Sequence, residues 1–284
     1  MLLILGAGGK TGQAVIRALA TRGAPVRALA HHETQVAPLR ALGAGEVVVG
    51  DLRDPSALAA AMAGIEAVYY ICPAVQPDEA EIGRGVIAAA QATGVPRLVL
   101  HSVMHPQISA LPHHAHKLQV EDALIQSGLS FTILQPSSYM QNILEGWERI
   151  ATQGVYASLY GLDARMTLVD LDDVGDVAAR VLTEAGHEAA TYELSGPEVL
   201  TAATMAATLS ARLGRPVTAV AVPSEQWEAR ARAGGLDDYA VATLATMFRY
   251  YAHHGFAGNP RVLELLLGRE PTNFAAFVAR TAKG

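Results

Sequence analysis

The sequence predicts an α/β fold in which helices cover both faces of a doubly wound parallel sheet. Two observations support this prediction. The first half of the chain repeats one unit, in which a short apolar run is followed by a Gly or Asp turn and a longer segment of helical period. The apolar runs are continuous rather than alternating, which is typical of parallel strands that are buried on both faces. With 284 residues, of which 51% are hydrophobic, the chain can bury a sizeable core.

The predicted strands of the first half are six short apolar runs: Leu2–Leu5, Pro25–Ala30, Glu46–Val49, Ala67–Cys72, Arg97–Ser102 and Phe131–Leu134. Helices are expected between them, for example over Thr11–Gly23 and His116–Gly128. In these segments apolar residues recur three and four positions apart and a glycine closes the C-terminal end.

After Pro136 the pattern changes to longer helical segments with fewer strands. Late strands are predicted at Leu168–Val169 and Tyr192–Leu194, and helices at Asp173–Ala185, Thr201–Gly214 and over most of Ser224–Ala279. We therefore expect a core domain over residues 1–150 and a smaller, mainly helical lobe over residues 151–284, with the late elements within 166–195 returning to the core. Open α/β sheets bind ligands at the carboxyl ends of their strands, so this lobe is expected to shape a substrate cleft there.

Composition excludes several classes of protein. Lys and Arg number 21 against 27 Asp and Glu, a formal net charge of −6, which argues against a nucleic-acid binder that works through phosphate contacts. A single cysteine, Cys72, excludes an intrachain disulfide framework and favours a cytoplasmic location. No secretory signal is expected because the first apolar run stops after Leu5, and no membrane span because Gly64, Glu66 and Pro73 divide the most apolar stretch.

A glycine-rich loop lies between the first strand and the first helix. Gly6, Gly9 and Gly12 form G-x-x-G-x-x-G, a variant of the dinucleotide fingerprint, and Gly8 supplies the standard spacing as well. Such glycines permit a tight turn and let backbone N–H groups approach a pyrophosphate at the positive end of a helix dipole. Because the loop follows a strand in a chain of repeated βα units, with Asp51 after the third strand, it indicates a dinucleotide site.

The same loop contains G-K-T, which also ends a phosphate-binding P-loop. A P-loop requires a further glycine five positions before the glycine of G-K-T, and that position is Ile4, inside the predicted strand. Hydrolysis of a nucleoside triphosphate is therefore not favoured.

These features, in their order and spacing, resemble the NmrA-like group of atypical short-chain dehydrogenases/reductases along nearly the whole chain. The matching segments are GAGGKTG, VRALAHH, GDLRDPSAL, HSVMHP, HHAHKLQVEDALIQSGLSFTILQPSSYMQN, LVDLDDVGDVAARVL, YELSGPEVLT and GREPTNFAAFV. The resemblance implies an NAD(P)-binding Rossmann domain and a small C-terminal lobe at the substrate cleft. It also implies that the protein is either a reductase or a redox-sensing regulator.

The resemblance also places the cofactor on particular residues. The positions that it assigns to cofactor binding are Gly6, Gly9, Lys10, Thr11, Gly12, Arg27, His31, Asp51, Leu52, Cys72, Pro73, Ser102, Lys117, Pro136 and Ser137. Asp51 is expected to hold the adenine, or alternatively to cap the helix that starts near Pro55.

Cofactor preference is expected to depend on the end of the second strand. Family members often carry an arginine there for the adenosine 2′-phosphate, whereas this chain has His31. No acidic residue stands at that position to bind the ribose hydroxyls of NAD. With Lys10, Arg27 and His32 as further sources of positive charge, NADP(H) is favoured over NAD(H).

The resemblance also suggests a catalytic face. Short-chain dehydrogenases use Ser, Tyr and Lys, with the last two as Y-x-x-x-K on one helix face. Here Lys117 fills the lysine place, His113 the tyrosine place and Ser102 the serine place. Lys117 is expected to orient the nicotinamide ribose and His113 to act as general acid. Tyr139, at the position that covers the nicotinamide, is a further candidate.

The sequence is compatible with two functions. The favoured one is an NAD(P)H-dependent reductase that passes hydride to a small, fairly apolar acceptor such as a quinone, enone, carbonyl or imine. The other is a non-enzymatic NAD(P)-sensing regulator. Clustered histidines, including His101, His105, His113 and His116, raise the question of a divalent metal, but we expect none. The sequence leaves open whether the protein forms a homodimer.

Overall fold

The computed structural model describes residues 1–73 and 75–282, and its contacts divide the chain into two compact units. The first unit comprises Met1–Pro136 and Leu171–Glu193, and the second comprises Ser137–Asp170 and the chain from Leu194 onward. Residues 283–284 of the predicted lobe lie outside the described residues. The first boundary falls after Pro136 rather than at residue 150, because the next segment pairs with a strand of the second unit.

The strands are β1 (Leu2–Leu5), β2 (Val26–Ala30), β3 (Glu46–Val49), β4 (Ala67–Tyr70), β5 (Arg97–His101), β6 (Ser130–Pro136), β7 (Ser138–Tyr139), β8 (Val155–Ser158), β9 (Met166–Val169), β10 (Ala190–Leu194), β11 (Val199–Leu200) and β12 (Thr218–Ala221). The α-helices are α1 (Lys10–Thr21), α2 (Val36–Ala41), α3 (Pro55–Met62), α4 (Glu79–Thr93), α5 (Pro112–Gln126), α6 (Trp147–Gln153), α7 (Leu171–Thr183), α8 (Ala202–Leu213), α9 (Ser224–Ala233), α10 (Asp238–His254), α11 (Arg261–Leu267) and α12 (Phe274–Thr281).

The first unit contains a seven-stranded sheet in the order β10-β6-β5-β4-β1-β2-β3. The pairs that join β3 to β6 through the centre of the sheet are parallel. This arrangement confirms the predicted doubly wound Rossmann fold. Strand order reverses at β1, which lies between β4 and β2, so the loop after β1 opens at the switch point where such sheets bind ligands.

Helices pack on both faces of this sheet. On one face, α3, α4 and α5 cover an apolar cluster that includes Leu5, Tyr70, Leu100 and Ile133, while α1 packs against α7. The contact between α4 and α5 depends on Gly83, because a Cβ there would lie 2.5 Å from a methyl carbon of Val120. The close approach of these helices brings the polar side chains at the start of α4 against α5.

The second unit holds two small sheets and most of the late helices. Its three-stranded sheet has the order β11-β9-β7, and β12 pairs with β8 in a two-stranded sheet. Strand β9 belongs to this unit because it pairs with β7 and β11, whereas α7 belongs to the first unit. Aromatic side chains hold the late helices together: Tyr251 stacks on Phe256, and Trp227 meets Phe248 edge to face.

No helix in the described part of the chain is long and apolar enough to cross a membrane.

Candidate active site

The glycine loop has the geometry that a pyrophosphate site needs. Gly6 adopts a φ of 77°, and a Cβ there would lie 2.5 Å from the carbonyl oxygen of Ile71. A Cβ on Gly12 would lie 2.4 Å from the carbonyl oxygen of Gly6, so both residues are required by the fold itself. At Gly9 the nearest atom to an added Cβ is 3.6 Å away, which is ordinary contact. The fold therefore leaves space beside Gly9 at the start of α1.

The electrostatics of this loop suit a phosphate group. Gly9 is the N-cap residue of α1, and no acidic residue occurs in the first turn of that helix. The start of α1 therefore presents its positive dipole end without a competing carboxylate. Lys10 is exposed at the same end, whereas the Thr11 side chain is buried. The loop thus fits the dinucleotide that the sequence predicts.

The end of β2 is joined to the glycine loop by a residue that the sequence did not indicate. The Gln35 side-chain oxygen accepts hydrogen bonds from the backbone N–H groups of His31, at 2.8 Å, and His32, at 3.3 Å. The Gln35 amide nitrogen lies only 2.3 Å from where a Cβ on Gly8 would be. Both histidine side chains are exposed, and their rings meet edge to face with centroids 4.2 Å apart. His31 is therefore accessible at the position proposed for the 2′-phosphate.

Arg27 has a structural role, which corrects its assignment to the cofactor site. Its Nε donates to Glu46 at 2.7 Å, and one terminal nitrogen donates to the carbonyl oxygens of Ala61 and Ala63, each at 2.8 Å. Arg27 is the second residue of β2, so it lies near the amino end of that strand, away from the carboxyl edge where ligands bind. It joins β2 to β3 and to the C-terminal end of α3.

Asp51 does not cap α3, which corrects the alternative role considered for it. Asp54 is the N-cap residue, and its side chain accepts from the N–H of Ser56 at 2.8 Å. The Asp51 carboxylate instead accepts from the backbone N–H of Arg53 at 2.8 Å, within the turn after β3. Its expected contact with adenine stays a prediction, as does that of its half-buried neighbour Leu52.

The loops after β3 and β4 are linked by Arg53. Its Nε and one terminal nitrogen donate to the two carboxylate oxygens of Asp78, at 2.8 and 3.1 Å. This bidentate pair raises the pKa of Arg53 and lowers the pKa of Asp78. Cys72 lies in the second of these loops and is buried, and burial raises the pKa of its thiol to about 11. Pro73, which follows it, is exposed.

A buried ion pair lies at the predicted catalytic lysine. The Lys117 ammonium is 2.7 Å from one carboxylate oxygen of Glu79 and donates to the carbonyl oxygen of His101 at 3.3 Å. The side chains of Lys117 and Glu79 are 6% and 1% exposed, so solvent barely screens this pair. The second Glu79 oxygen is 3.1 Å from Nδ1 of His113. The structure thus brings His113 and Lys117 together through a carboxylate.

Ser102 contacts another carboxylate, which belongs to Glu121 of α5. Its hydroxyl donates to Glu121, which also accepts from the side-chain nitrogen of Gln135 at 2.9 and 3.0 Å. Burial raises the pKa of Glu121 above its ordinary value, against the opposing effect of these hydrogen bonds. Ser102 follows His101, whose carbonyl oxygen binds Lys117, so both predicted residues lie at the carboxyl end of β5. The Ser102 hydroxyl therefore donates its proton to a carboxylate of α5.

The clustered histidines have other contacts. Burial lowers the pKa of His101 to about 3, and its Nδ1 contacts the buried Tyr69 hydroxyl. Burial also lowers the pKa of His114 to about 4, and its Nδ1 is 2.8 Å from the carbonyl oxygen of His105. Within residues 1–73 and 75–282, no group of three His, Cys, Asp or Glu side chains could hold a metal ion.

Three of the predicted site residues lie close to the position in the chain, between Pro136 and Ser137, where the first unit ends and the second begins. Pro136 ends β6 in the first unit. Ser137 and Tyr139 belong to the second unit, where Tyr139 is half-buried in β7 and pairs with Val169 of β9. The Ser137 hydroxyl is buried and has no hydrogen-bond partner among the described residues. The roles of these residues in cofactor or substrate binding stay predictions.

Sequence reasoning missed Glu79, Glu121 and Gln35. Glu121 stands four residues after Lys117 in α5, a spacing that places both on one helix face and that could have revealed it. Glu79 and Glu81 both lie in the first turn of α4, where acidic residues commonly stabilise the helix dipole. Nothing in the sequence distinguishes the buried Glu79 from the exposed Glu81, so only the fold identifies the residue that pairs with Lys117.

The sequence pattern that defines the NmrA-like family matches residues 1–278. The chain belongs to the NmrA-like family. Among curated relatives, the NAD(P)H azoreductase of Xenophilus azovorans is 30% identical over 282 residues, which cover 98% of this chain and 96% of the relative. A (4-alkanoyl-5-oxo-2,5-dihydrofuran-3-yl)methyl phosphate reductase of Streptomyces griseus is 38% identical over 220 residues, 76% of this chain and 75% of the relative.

Solved structures of this NmrA-like family agree with the fold. The NADPH-dependent quinone oxidoreductase of Escherichia coli, in its complex with NADPH, superimposes with a TM-score of 0.86 at 29% identity. The superposition covers 99% of this chain and 100% of that one. Similarity to NADPH-dependent reductases thus extends over both units.

Proposed function

We propose that this NmrA-like protein is an NADPH-dependent reductase that transfers hydride to a small, fairly apolar acceptor. The observation that carries this proposal is the buried ammonium of Lys117 at the carboxyl end of β5, paired with the Glu79 carboxylate that also contacts His113. Azo, quinone and furanone reductases among the relatives support the same chemistry. A non-enzymatic regulator is not favoured, because these relatives carry named reductase activities.

The residues of the first unit have distinct roles in this proposal. Backbone N–H groups at the start of α1 bind the pyrophosphate, which can approach them closely because Gly9 has no side chain. His31 faces the adenosine 2′-phosphate and favours NADPH. Lys117 donates to the nicotinamide ribose with the proton that Glu79 and the His101 carbonyl do not use. The bound cofactor supplies the hydride.

His113 supplies the proton in this scheme. Hydride addition leaves negative charge on the heteroatom of the acceptor, and a positioned imidazolium can neutralise it. The His113 side chain is 19% exposed, so its ring combines access from outside with a fixed partner in Glu79. A cytoplasmic location and a homodimer stay predictions.

The test is NADPH oxidation over a panel of quinones, azo dyes and enones. Wild type should turn over at least one of these acceptor classes. His113→Phe should lower kcat by ~10² or more, with the dissociation constant for NADPH nearly unchanged. His116→Phe is the matched control, because it makes the same exchange of a histidine for a phenylalanine at another position of α5. If no acceptor is reduced although NADPH binds tightly, the reductase proposal is wrong.

A further inference from the structure

Glu79 is a buried carboxylate that serves two side chains of the neighbouring helix at once. One of its oxygens is 2.7 Å from the Lys117 ammonium, and the other is 3.1 Å from Nδ1 of His113. The residue is 0% exposed, whereas Glu81 in the same helical turn is exposed. A buried carboxylate is costly unless it is paired, and here one oxygen lies in an ion pair with Lys117 while the other lies within hydrogen-bond distance of His113.

The protonation state of Glu79 follows from its surroundings. Burial acts to raise its pKa, but the charge of Lys117 and the hydrogen bond with His113 outweigh burial and hold the pKa below its ordinary range. Glu79 is therefore ionised near neutral pH. An ionised carboxylate only accepts hydrogen bonds, so the short contact to His113 requires Nδ1 of that ring to be the donor.

This requirement determines which atom of His113 faces the reaction. A neutral imidazole carries one proton, and here that proton is on Nδ1, so Nε2 is left as an acceptor. Nε2 becomes a donor only after it takes up a second proton, which the 19% exposed ring can obtain from solvent.

We propose that Glu79 is a positioning residue that fixes the Nδ1–H of His113 and the ammonium of Lys117, so that proton donation to the acceptor occurs from Nε2 of His113. This inference rests on the proposed reductase function. It assigns a role to a residue that neither contacts the acceptor in the proposal nor belongs to the Ser, Tyr and Lys pattern.

The proton and electron balance of the step is complete. The cofactor is oxidised by loss of a hydride, and the acceptor gains the hydride and one proton, which together reduce it by two electrons. The N–H bond at Nε2 breaks as the new bond to the acceptor heteroatom forms. His113 is left neutral with its proton on Nδ1, still bonded to Glu79, and solvent restores the proton on Nε2.

The first measurement is the tautomer of His113 in protein without cofactor. Long-range ¹H–¹⁵N correlation at about pH 8 reports which ring nitrogen is protonated, and His113→Phe identifies the resonance. Wild type and Glu81→Leu should both show the Nδ1–H tautomer, whereas Glu79→Leu should lose it. If Glu79→Leu does not fold, Glu79→Leu combined with Lys117→Met leaves no buried charge unpaired and provides the same readout.

The second measurement is a double-mutant cycle on kcat. Glu79→Gln should lower kcat by about tenfold in the wild-type background and by at least threefold less in the His113→Phe background, because the lost interaction acts through the ring. Equal losses in both backgrounds would mean that Glu79 does not act through His113, and would overturn the inference.

The two proposals fail in distinguishable ways. An Nε2–H tautomer in wild type overturns the role of Glu79, even if the protein is an active reductase. Unchanged turnover in His113→Phe overturns proton donation by His113 and with it this inference, while Lys117-dependent NADPH oxidation would still support a reductase.

Discussion

Replacement of Gly9 by alanine should weaken NADPH binding without weakening the fold. Gly9 has φ −78° and ψ 163°, an extended conformation that alanine adopts without strain. The nearest atom to the new Cβ is 3.6 Å away, so the chain itself makes no clash. A pyrophosphate that approaches the adjacent N–H groups would meet this methyl group. We expect the dissociation constant for NADPH to rise at least tenfold, or about 1.4 kcal/mol.

Gly12→Ala provides the contrast. Its Cβ would lie 2.4 Å from the carbonyl oxygen of Gly6 and 2.7 Å from Cα of Ala7, both of which are backbone atoms that cannot rotate away. Overpacking of this kind typically costs about 1–3 kcal/mol of stability. Gly12→Ala should therefore lower the unfolding midpoint, whereas Gly9→Ala should leave it within error or raise it slightly.

The assay combines NADPH fluorescence titration with thermal unfolding of the unliganded protein. Gly85→Ala is the matched control, because Gly85 is exposed in α4 and has no atom within 4 Å of an added Cβ. It should retain wild-type affinity. If Gly9→Ala binds NADPH as tightly as Gly85→Ala does, the pyrophosphate does not lie against Gly9, and the assignment of this loop to the pyrophosphate fails.

Four further predictions follow from the first unit. Lys117→Met leaves the Glu79 carboxylate buried without its cation, so the free energy of unfolding should fall by about 3 kcal/mol in denaturant titrations, and adding Glu79→Gln should recover part of it. Because folding lowers the pKa of Glu79, its stabilisation is present above about pH 5 and is lost as pH falls through the folded-state value; the difference in stability between wild type and Glu79→Gln should shrink on acidification. Since burial raises the pKa of the Cys72 thiol to about 11, a thiol reagent at about pH 8 should label native protein ~10² times more slowly than unfolded protein, and fast labelling would contradict that burial. His31→Gln should lower the preference for NADPH over NADH, measured as the ratio of the two dissociation constants; an unchanged ratio would remove His31 from the 2′-phosphate site.

The repeating βα pattern was sufficient to predict the central sheet. Observed β1 and β3 coincide with the predicted runs, because β1 is an apolar segment that ends at Gly6 and the three valines of β3 lie between Gly45 and Gly50. Strand β4 ends at Tyr70, before the predicted Cys72, since the chain leaves the sheet ahead of Pro73. The two-residue strands β7 and β11 were not predicted, because their pairing with β9 depends on the tertiary structure rather than on local pattern.

The candidate site was predictable only where local spacing carries the information. His113 and Lys117 are one helical turn apart, so their common face follows from the sequence. Glu79 reaches them from another helix, across a contact that depends on the absence of a side chain at Gly83. For Arg27 the local sequence was misleading. Its place in β2 suggested a contact with the cofactor, whereas its side chain donates to Glu46 and to the carbonyl oxygen of Ala61.

Gln35 determines how the cofactor preference of this protein could be redesigned. One side-chain oxygen holds the backbone of both His31 and His32, and the amide nitrogen occupies the space that a side chain on Gly8 would need. The effect of a substitution at residue 31 therefore depends on the backbone conformation that Gln35 holds. An exchange toward NADH that alters only His31 would keep a backbone shaped by Gln35, whereas transplanting residues 31–35 as one block and retaining Gly8 would carry the conformation together with the new side chain.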